Sequence, residues 1–313
     1  MIDTHAHALP ALDVAPAAQP IHDVLARAAN RLTPSRAVLE IETLSTLERT
    51  LPERGFALVE DLSQLALLPP ALVGGTVRGL LASMARHGID RTIMIGARGR
   101  ISNRWVLEEA WPQAPDRLVP VTTLPELSRR TATLDEWVGA YRELAEAGAA
   151  GFKLHPNWDG VLPGHPSYDA AFEVAREHDR FIIVHTGCFH VRTYPNQEPL
   201  RLDDLRPYFD RFPEVRVCLG HMNRGNPEAV WELQRRYDQV YTDTSWQPSE
   251  VIRRAIDAVG SDRLMLGSDW PLLHLGLQRD ARRAVERAAS GQHLENIVDV
   301  APRRFIGAGT WPA

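Results

Sequence analysis

From about residue 90 the chain alternates between two hydrophobic rhythms. Short runs rich in β-branched and apolar residues give way to longer stretches whose apolar positions recur every three to four residues. The short runs lie at 92–95, 118–121, 150–154, 181–184, 215–219, 240–243 and 263–266, and residues 1–3 add an eighth. The helical stretches between them cover 76–87, 102–112, 133–147, 167–178, 201–212, 226–236 and 248–259, and a final one at 277–289 follows the last run. Eight strands, each followed by a helix, predict a closed (β/α)₈ TIM barrel. An open doubly wound sheet competes with it, but that fold carries a Gly-rich phosphate turn after its first strand. None follows residues 1–3.

A plain barrel of this kind needs ~250 residues, and the chain has 313. The surplus falls between the first strand and the helix near 76. Within it, 20–31, 34–50 and 53–67 show helical patterning, separated by Pro34, Pro52 and the pair Pro69-Pro70. The reading is one domain over 1–313, with 8–75 as a helical insertion forming a lid over the C-terminal mouth. Segment 8–20, rich in Ala and Pro, reads as an irregular loop.

The residues that end the strands carry the chemistry. Strand 1 runs into Asp3-Thr4-His5-Ala6-His7, and strand 4 into Lys153-Leu154-His155-Pro156. Strand 5 ends in His185-Thr186-Gly187, strand 6 in Gly220-His221-Met222-Asn223, and strand 8 in Gly267-Ser268-Asp269-Trp270-Pro271. In a barrel these ends converge on one mouth. Imidazoles and a carboxylate meeting there make a metal site by ligand type, one that suits Zn²⁺ above all. Side chains two apart on a strand share a face, so His5 and His7 can reach one ion.

The stretches IDTHAH, GFKLHP, IIVHTG, VCLGHMN, VYTDTS and RLMLGSDWP carry a family resemblance over essentially the whole barrel. The chain resembles the amidohydrolase superfamily, in the amidohydrolase-2 branch that also holds decarboxylases related to aminocarboxymuconate semialdehyde decarboxylase. The resemblance implies that His5, His7, His185 and Asp269 bind metal, with His221 catalytic or on a second ion. One or two divalent ions are therefore expected.

Of the 35 basic side chains, 34 are Arg, and Lys153 is the one Lys. An Arg stays protonated at working pH, whereas a Lys amine can be made neutral and nucleophilic. By resemblance to dihydroorotases, a Lys ending the fourth strand can be carboxylated and bridge two metals. A plain ammonium orienting an anionic substrate, and a salt bridge inside the barrel, are the competing readings.

Other candidates line the same mouth. Cys188, His190 and Arg192 follow strand 5, and Arg192 or Arg224 could grip a substrate carboxylate bidentately; pairing with a nearby acid is the alternative. Trp158, Trp246 and Trp270 follow strand ends and could form an apolar wall, with packing the better reading for at least one. Cys218, inside strand 6, reads as a small buried hydrophobe. Asp243 and Ser245 end strand 7, where they could orient a ligand His.

Composition removes other classes of function. The chain is 44% hydrophobic and 24% charged, with a net charge of −5 and its basic residues scattered. Disorder, a nucleic-acid groove and a polybasic membrane patch are excluded on that pattern. Two cysteines make no disulfide framework, and the first residues show no signal peptide, so a cytoplasmic location is expected. The expected partner is a small-molecule substrate, with no nucleic acid and no membrane; a homo-oligomer is left open. The leading expectation is hydrolysis of an amide, lactone, imide or related C–N or C–O bond by a metal-activated water, with Asp269 as base. The alternative is metal-dependent, non-oxidative decarboxylation or hydration of an unsaturated or aromatic carboxylic acid.

Overall fold

The computed structural model describes residues 1–10, 41–52, 54–56, 58–59, 73–187, 200–272 and 275–307. Every predicted strand forms: β1 (Ile2–Ala6), β2 (Arg91–Ile95), β3 (Leu118–Thr123), β4 (Gly151–Leu154), β5 (Phe181–Val184), β6 (Val217–Leu219), β7 (Val240–Asp243) and β8 (Leu264–Met265). Neighbours pair in parallel in chain order from β1 to β8. The seam between last and first strand is closed by single backbone bonds. Thr4 N–H donates to the Leu266 carbonyl at 2.7 Å and Asp269 N–H to the His5 carbonyl at 2.6 Å. A parallel bridge joins Ala6 to Trp270. The fold is a TIM barrel.

The barrel interior is filled by alternate strand residues, including Ile93 and Ile95, Val119 and Val121, Phe181 and Ile183, with Ile2, Cys218 and Met265. A further layer of apolar side chains packs the outer strand faces against the helices. In β1 the register shifts between Asp3 and Ala6. Such a bulge changes which residues face inward. It lets Ile2 join the interior cluster while His5, three positions on, faces Lys153 and Asp243.

The helices α1 (Ile41–Thr50), α2 (Val77–His87), α3 (Leu134–Glu146), α4 (Pro166–Glu177), α5 (Arg206–Arg211), α6 (Glu228–Arg236), α7 (Ser249–Val259) and α8 (Leu277–Ala288) surround the sheet. Their ends follow local chemistry. Thr133 and Glu136 form a reciprocal capping box that fixes the start of α3. Between β2 and β3 the predicted helix is a composite of an α-turn, a π-turn and a 3₁₀-turn over 103–113.

Beyond 289, where the sequence pattern ends, the chain continues as three short helical turns from Gly291 to Ile306. Phe305 on the last of them lies tilted against Phe181 at 4.6 Å and Tyr241 at 5.2 Å between ring centroids, flooring the N-terminal end of the barrel. Burying a side chain of that size stabilises the fold by about 1.5–3 kcal/mol. Of the 8–75 stretch, the expected helix at 20–31 lies outside the described residues, and α1 is part of the expected 34–50 helix. Glu42 on α1 accepts from Ser249 N–H at 2.9 Å, and Arg49 pairs with Glu250 at 2.9 Å. No helix among the described residues is long and apolar enough to cross a membrane.

Candidate metal centre

His5 and His7 leave β1 on one side, with ring centroids 5.7 Å apart. His5 Nδ1 lies 2.8 Å from Asp243 Oδ2. An ionised carboxylate only accepts, so Nδ1 holds the proton and Nε2 keeps its lone pair. His7 Nδ1 donates to the Ile95 carbonyl at 2.9 Å, which again turns a bare Nε2 inward. Asp269 Oδ1 meets both, 3.2 Å from His7 Nε2 and 3.5 Å from His5 Nε2. One ligand atom from each residue therefore lies within 4.8 Å of the other two.

This arrangement fits a divalent cation on two counts. Two imidazole lone pairs and a carboxylate are the donors such ions take. Among the described residues Asp269 Oδ1 is also buried without a hydrogen-bond partner, and a buried anionic oxygen left so is costly unless a cation meets it. The other oxygen, Oδ2, accepts from Trp246 Nε1 at 2.6 Å. Asp269 and Trp246 both sit at positive φ, 58° and 62°, a conformation costing of order 1–3 kcal/mol for non-glycine residues.

A second group, His5, His221 and Asp243, also brings ligand atoms together. Its carboxylate is already engaged. Asp243 accepts from His5 Nδ1, from His221 N–H at 3.2 Å, from Ser245 N–H at 3.0 Å and from the Ser245 hydroxyl in a close contact. With those donors around it the carboxyl stays ionised, held below its usual range although burial alone would raise it. It orients histidines instead of offering a bare ligand atom. Room for it comes from Gly267, where a Cβ would lie 2.8 Å from Asp243 Oδ1.

His221 and His185 form a pair, with His221 Nε2 and His185 Nδ1 3.0 Å apart. His185, expected as a metal ligand, is thus turned toward His221 and is absent from both ligand groups. Its ring stacks on His155 with centroids 3.7 Å apart and planes 11° from parallel. Burial pushes His221 down to about 3 and His155 and His185 well below the ordinary histidine value, so these rings are neutral. The strand-end reading does not single out His155, although Lys153-x-His155 repeats the His5-x-His7 spacing at the end of β4.

Lys153 is buried, 2% exposed, with Nζ 3.2 Å from His5 Nε2. Burial lowers its pKa, against the pull of the Asp243 and Asp269 charges. Among the described residues no carboxylate lies within 4.0 Å of its amine, although the charges of Asp243 and Asp269 act on it.

The outer candidates separate. Trp158 lies edge-on to His155 at 5.7 Å and under the Arg100 guanidinium at 5.3 Å. Trp270 is the tryptophan that packs: it is 1% exposed, clusters with Ala6 and Leu80, and donates to the Leu275 carbonyl at 3.1 Å. Arg224 Nη2 lies 3.2 Å from Glu48 Oε2 on α1, with its guanidinium 5.5 Å from the Phe56 ring. Arg224, Leu44, Val251 and Trp246 help line a cavity of about 360 Å³. Trp246 is its link to the centre. Cys188, His190 and Arg192 lie outside the described residues. Cys218 is fully buried in the interior cluster, where burial pushes its thiol well up.

Residues 2–307 match the amidohydrolase family. The chain belongs to that family, in its amidohydrolase-2 branch. Over 84 residues it is 26% identical to gamma-resorcylate decarboxylase of a Polaromonas species, covering 20% of this chain and 26% of that one. The match thus spans about a quarter of that relative's length. A TIM-barrel protein of Bordetella bronchiseptica superposes over 98% of both chains with a TM-score of 0.66 at 15% identity. The D314N mutant of 5-carboxyvanillate decarboxylase from Novosphingobium aromaticivorans, with bound manganese and a methoxy-hydroxy-nitrobenzoic acid, superposes over 97% of this chain and 96% of its own. Its TM-score is 0.61 at 17% identity.

These relatives correct the hydrolytic expectation. The two with a named reaction are decarboxylases. Asp269 is the residue expected to act as base. One of its oxygens faces His5 and His7 and the other is covered by the Trp246 indole.

Proposed function

We propose that this chain is a metal-dependent, non-oxidative decarboxylase of a small aromatic carboxylic acid. The observation that carries the reading is the commitment of Asp269 to His5, His7 and Trp246, with a separate His221–His185 pair beside it. Decarboxylation needs no water-derived nucleophile. It needs an oriented carboxylate and a proton for the carbon that loses it.

Each part has a residue. His5, His7 and Asp269 would hold the cation, Mn²⁺ or Zn²⁺, which supplies Lewis-acid polarisation of substrate oxygens. Lys153 acts as an ammonium that pairs with the substrate carboxylate. The His221–His185 pair, neutral at rest, relays to the ring carbon a proton taken up from solvent; the bond between ring and carboxylate then breaks, its electron pair restores the ring, and CO₂ leaves. Arg224 exchanges Glu48 for an anionic substituent of the substrate, and Leu44, Val251 and Trp246 offer the apolar contact a single ring requires. Helix α1, with Ile41, Leu44 and Glu48, walls one side of this cavity and would limit its access to water.

Incubation of metal-loaded enzyme with 2,6-dihydroxybenzoate and 5-carboxyvanillate, followed by measurement of CO₂ and the decarboxylated ring, tests the reading. Release of both in equal amounts is expected. Inertness toward aromatic acids, together with turnover of amides or lactones, would overturn it.

A further inference from the structure

Two independent demands meet at the end of β7. His5 must present Nε2 toward His7 and Asp269, and His221 must present Nε2 toward His185. The second demand is harder, because His221 sits on a strained turn. His221, Met222 and Asn223 have consecutive positive φ values of 59°, 45° and 50°. Three such non-glycine residues in a row persist only where the surroundings over-determine them.

The surroundings do so. Thr186 Oγ1 donates to the Gly220 carbonyl and accepts from Asn223 N–H at 3.1 Å. Asn223 Oδ1 accepts from Gly187 N–H at 3.0 Å, and Gln247 Nε2 donates to the His221 carbonyl at 2.6 Å. These bonds hold the backbone of the turn. The imidazole itself is set from elsewhere: His221 Nδ1 lies 2.7 Å from Ser245 Oγ. The hydroxyl proton of Ser245 goes to Asp243 Oδ1, so Oγ is left to accept, and His221 Nδ1 carries the hydrogen. Asp243 Oδ1 also takes the His221 N–H, while Oδ2 takes His5 Nδ1.

We propose that Asp243 is a positioning residue whose two oxygens serve two ends of the site: Oδ2 aims the ligand His5, and Oδ1, through Ser245, aims His221. Ser245 is then a positioning residue for His221 alone. Asp243 ends β7, and Ser245 lies two residues on, in the turn that follows the strand. This assignment rests on the decarboxylase reading for what His221 does, and on geometry for how it is held.

The division of labour is tested by separating the two arms. Metal affinity is measured by calorimetry with Mn²⁺ and Zn²⁺ on Ser245→Ala, Ser245→Thr and Asp243→Asn. The His221 tautomer is read from imidazole ¹⁵N shifts, and folding is checked by thermal melting. Ser245→Ala is expected to bind metal within about twofold of wild type, because His5 keeps its Asp243 contact. Its His221 resonances lose the pure Nδ1–H pattern, kcat falls with KM little changed, and Ser245→Thr restores both. Asp243→Asn is expected to lose metal affinity by roughly 10–100-fold, the range for loss of a ligand's outer partner. An unchanged His221 pattern in Ser245→Ala overturns the proposal, and so does a loss of metal affinity there equal to that of Asp243→Asn. Should wild type decarboxylate no aromatic acid, the function reading fails alone, since metal affinity and ¹⁵N shifts still decide the positioning.

Discussion

The indole of Trp246 donates its Nε1–H to Asp269 Oδ2 at 2.6 Å, joining the ends of β7 and β8 across the candidate metal centre. It also lines the cavity beside α1. One side chain thus contacts both the ligand carboxylate and the space proposed for substrate. Trp246→Phe keeps the ring and removes the donor. A hydrogen bond to a charged group contributes about 1.5–3 kcal/mol, so the metal-free form should melt a few °C lower, and metal affinity should drop roughly tenfold as Asp269 loses its aim. Titration with Mn²⁺ checks this; unchanged affinity would show that the indole bond does not aim Asp269.

Removing metal should cost stability as well as activity. A ligand present at 100 times its Kd stabilises by about 2.7 kcal/mol, which for a chain of this size raises the melting temperature by roughly 5 °C. Chelator-treated protein is expected to melt lower by that order, and Mn²⁺ or Zn²⁺ should restore it. Identical melting curves with and without added ion would contradict a bound cation at His5, His7 and Asp269.

Lys153 separates one ion from two. With an ammonium at this position, Lys153→Met leaves one metal per chain, as in wild type, and raises KM for the acid more than tenfold. Elemental analysis of both proteins reads the count directly. Two ions in wild type and one in the variant would instead establish the carboxylated lysine.

A pH effect is expected away from the metal. Burial raises the Asp159 carboxyl from 3.8 to about 7, although its bond from His155 N–H and the charges of Arg98, Lys153 and Arg129 oppose this. The folded state therefore holds a proton that the unfolded chain releases near 3.8. Its stability contribution is fully present below that value and is lost as pH rises through about 7. Each pH unit separating the folded and unfolded values corresponds to about 1.4 kcal/mol, so the loss reaches about 4 kcal/mol. Urea unfolding of wild type and Asp159→Asn at pH 5 and pH 8 should show the variant gaining relative stability at the higher pH. A pH-independent difference would place the carboxylate in a more solvated setting.

Much of this architecture is legible without coordinates, for physical reasons. Buried parallel strands need continuous apolar runs, so 92–95, 118–121 and 181–184 stand out along the chain. The polar residues that end those runs converge because a barrel makes them converge. Other features leave no local trace. The bulge in β1 depends on its pairing with β2, and the pairing of Arg224 with Glu48 joins residues 176 apart in sequence. The turning of His185 toward His221 and His155 follows from ring packing across three strands. The helical turns after 289 escape the pattern because their five-to-six-residue segments are too short to show a period. The hydrolytic expectation is overturned by the relatives, and at Asp269 the residue itself is legible while its contact with Trp246, at positive φ, is not.

The seam of the barrel gives the metal centre a mechanical meaning. β1 and β8 are joined by a handful of backbone bonds, two of them made by Thr4 N–H and Asp269 N–H, and a barrel opens most easily where its ladder is thinnest. His5 and His7 stand on one side of that line and Asp269 on the other. A cation shared among them would act as a clasp between the two ends of the chain's sheet, closing the longest loop in the fold. Amide hydrogens along the seam, at Thr4 and Asp269, would then exchange with solvent more slowly when the ion is bound, while those between β4 and β5 would keep their rates.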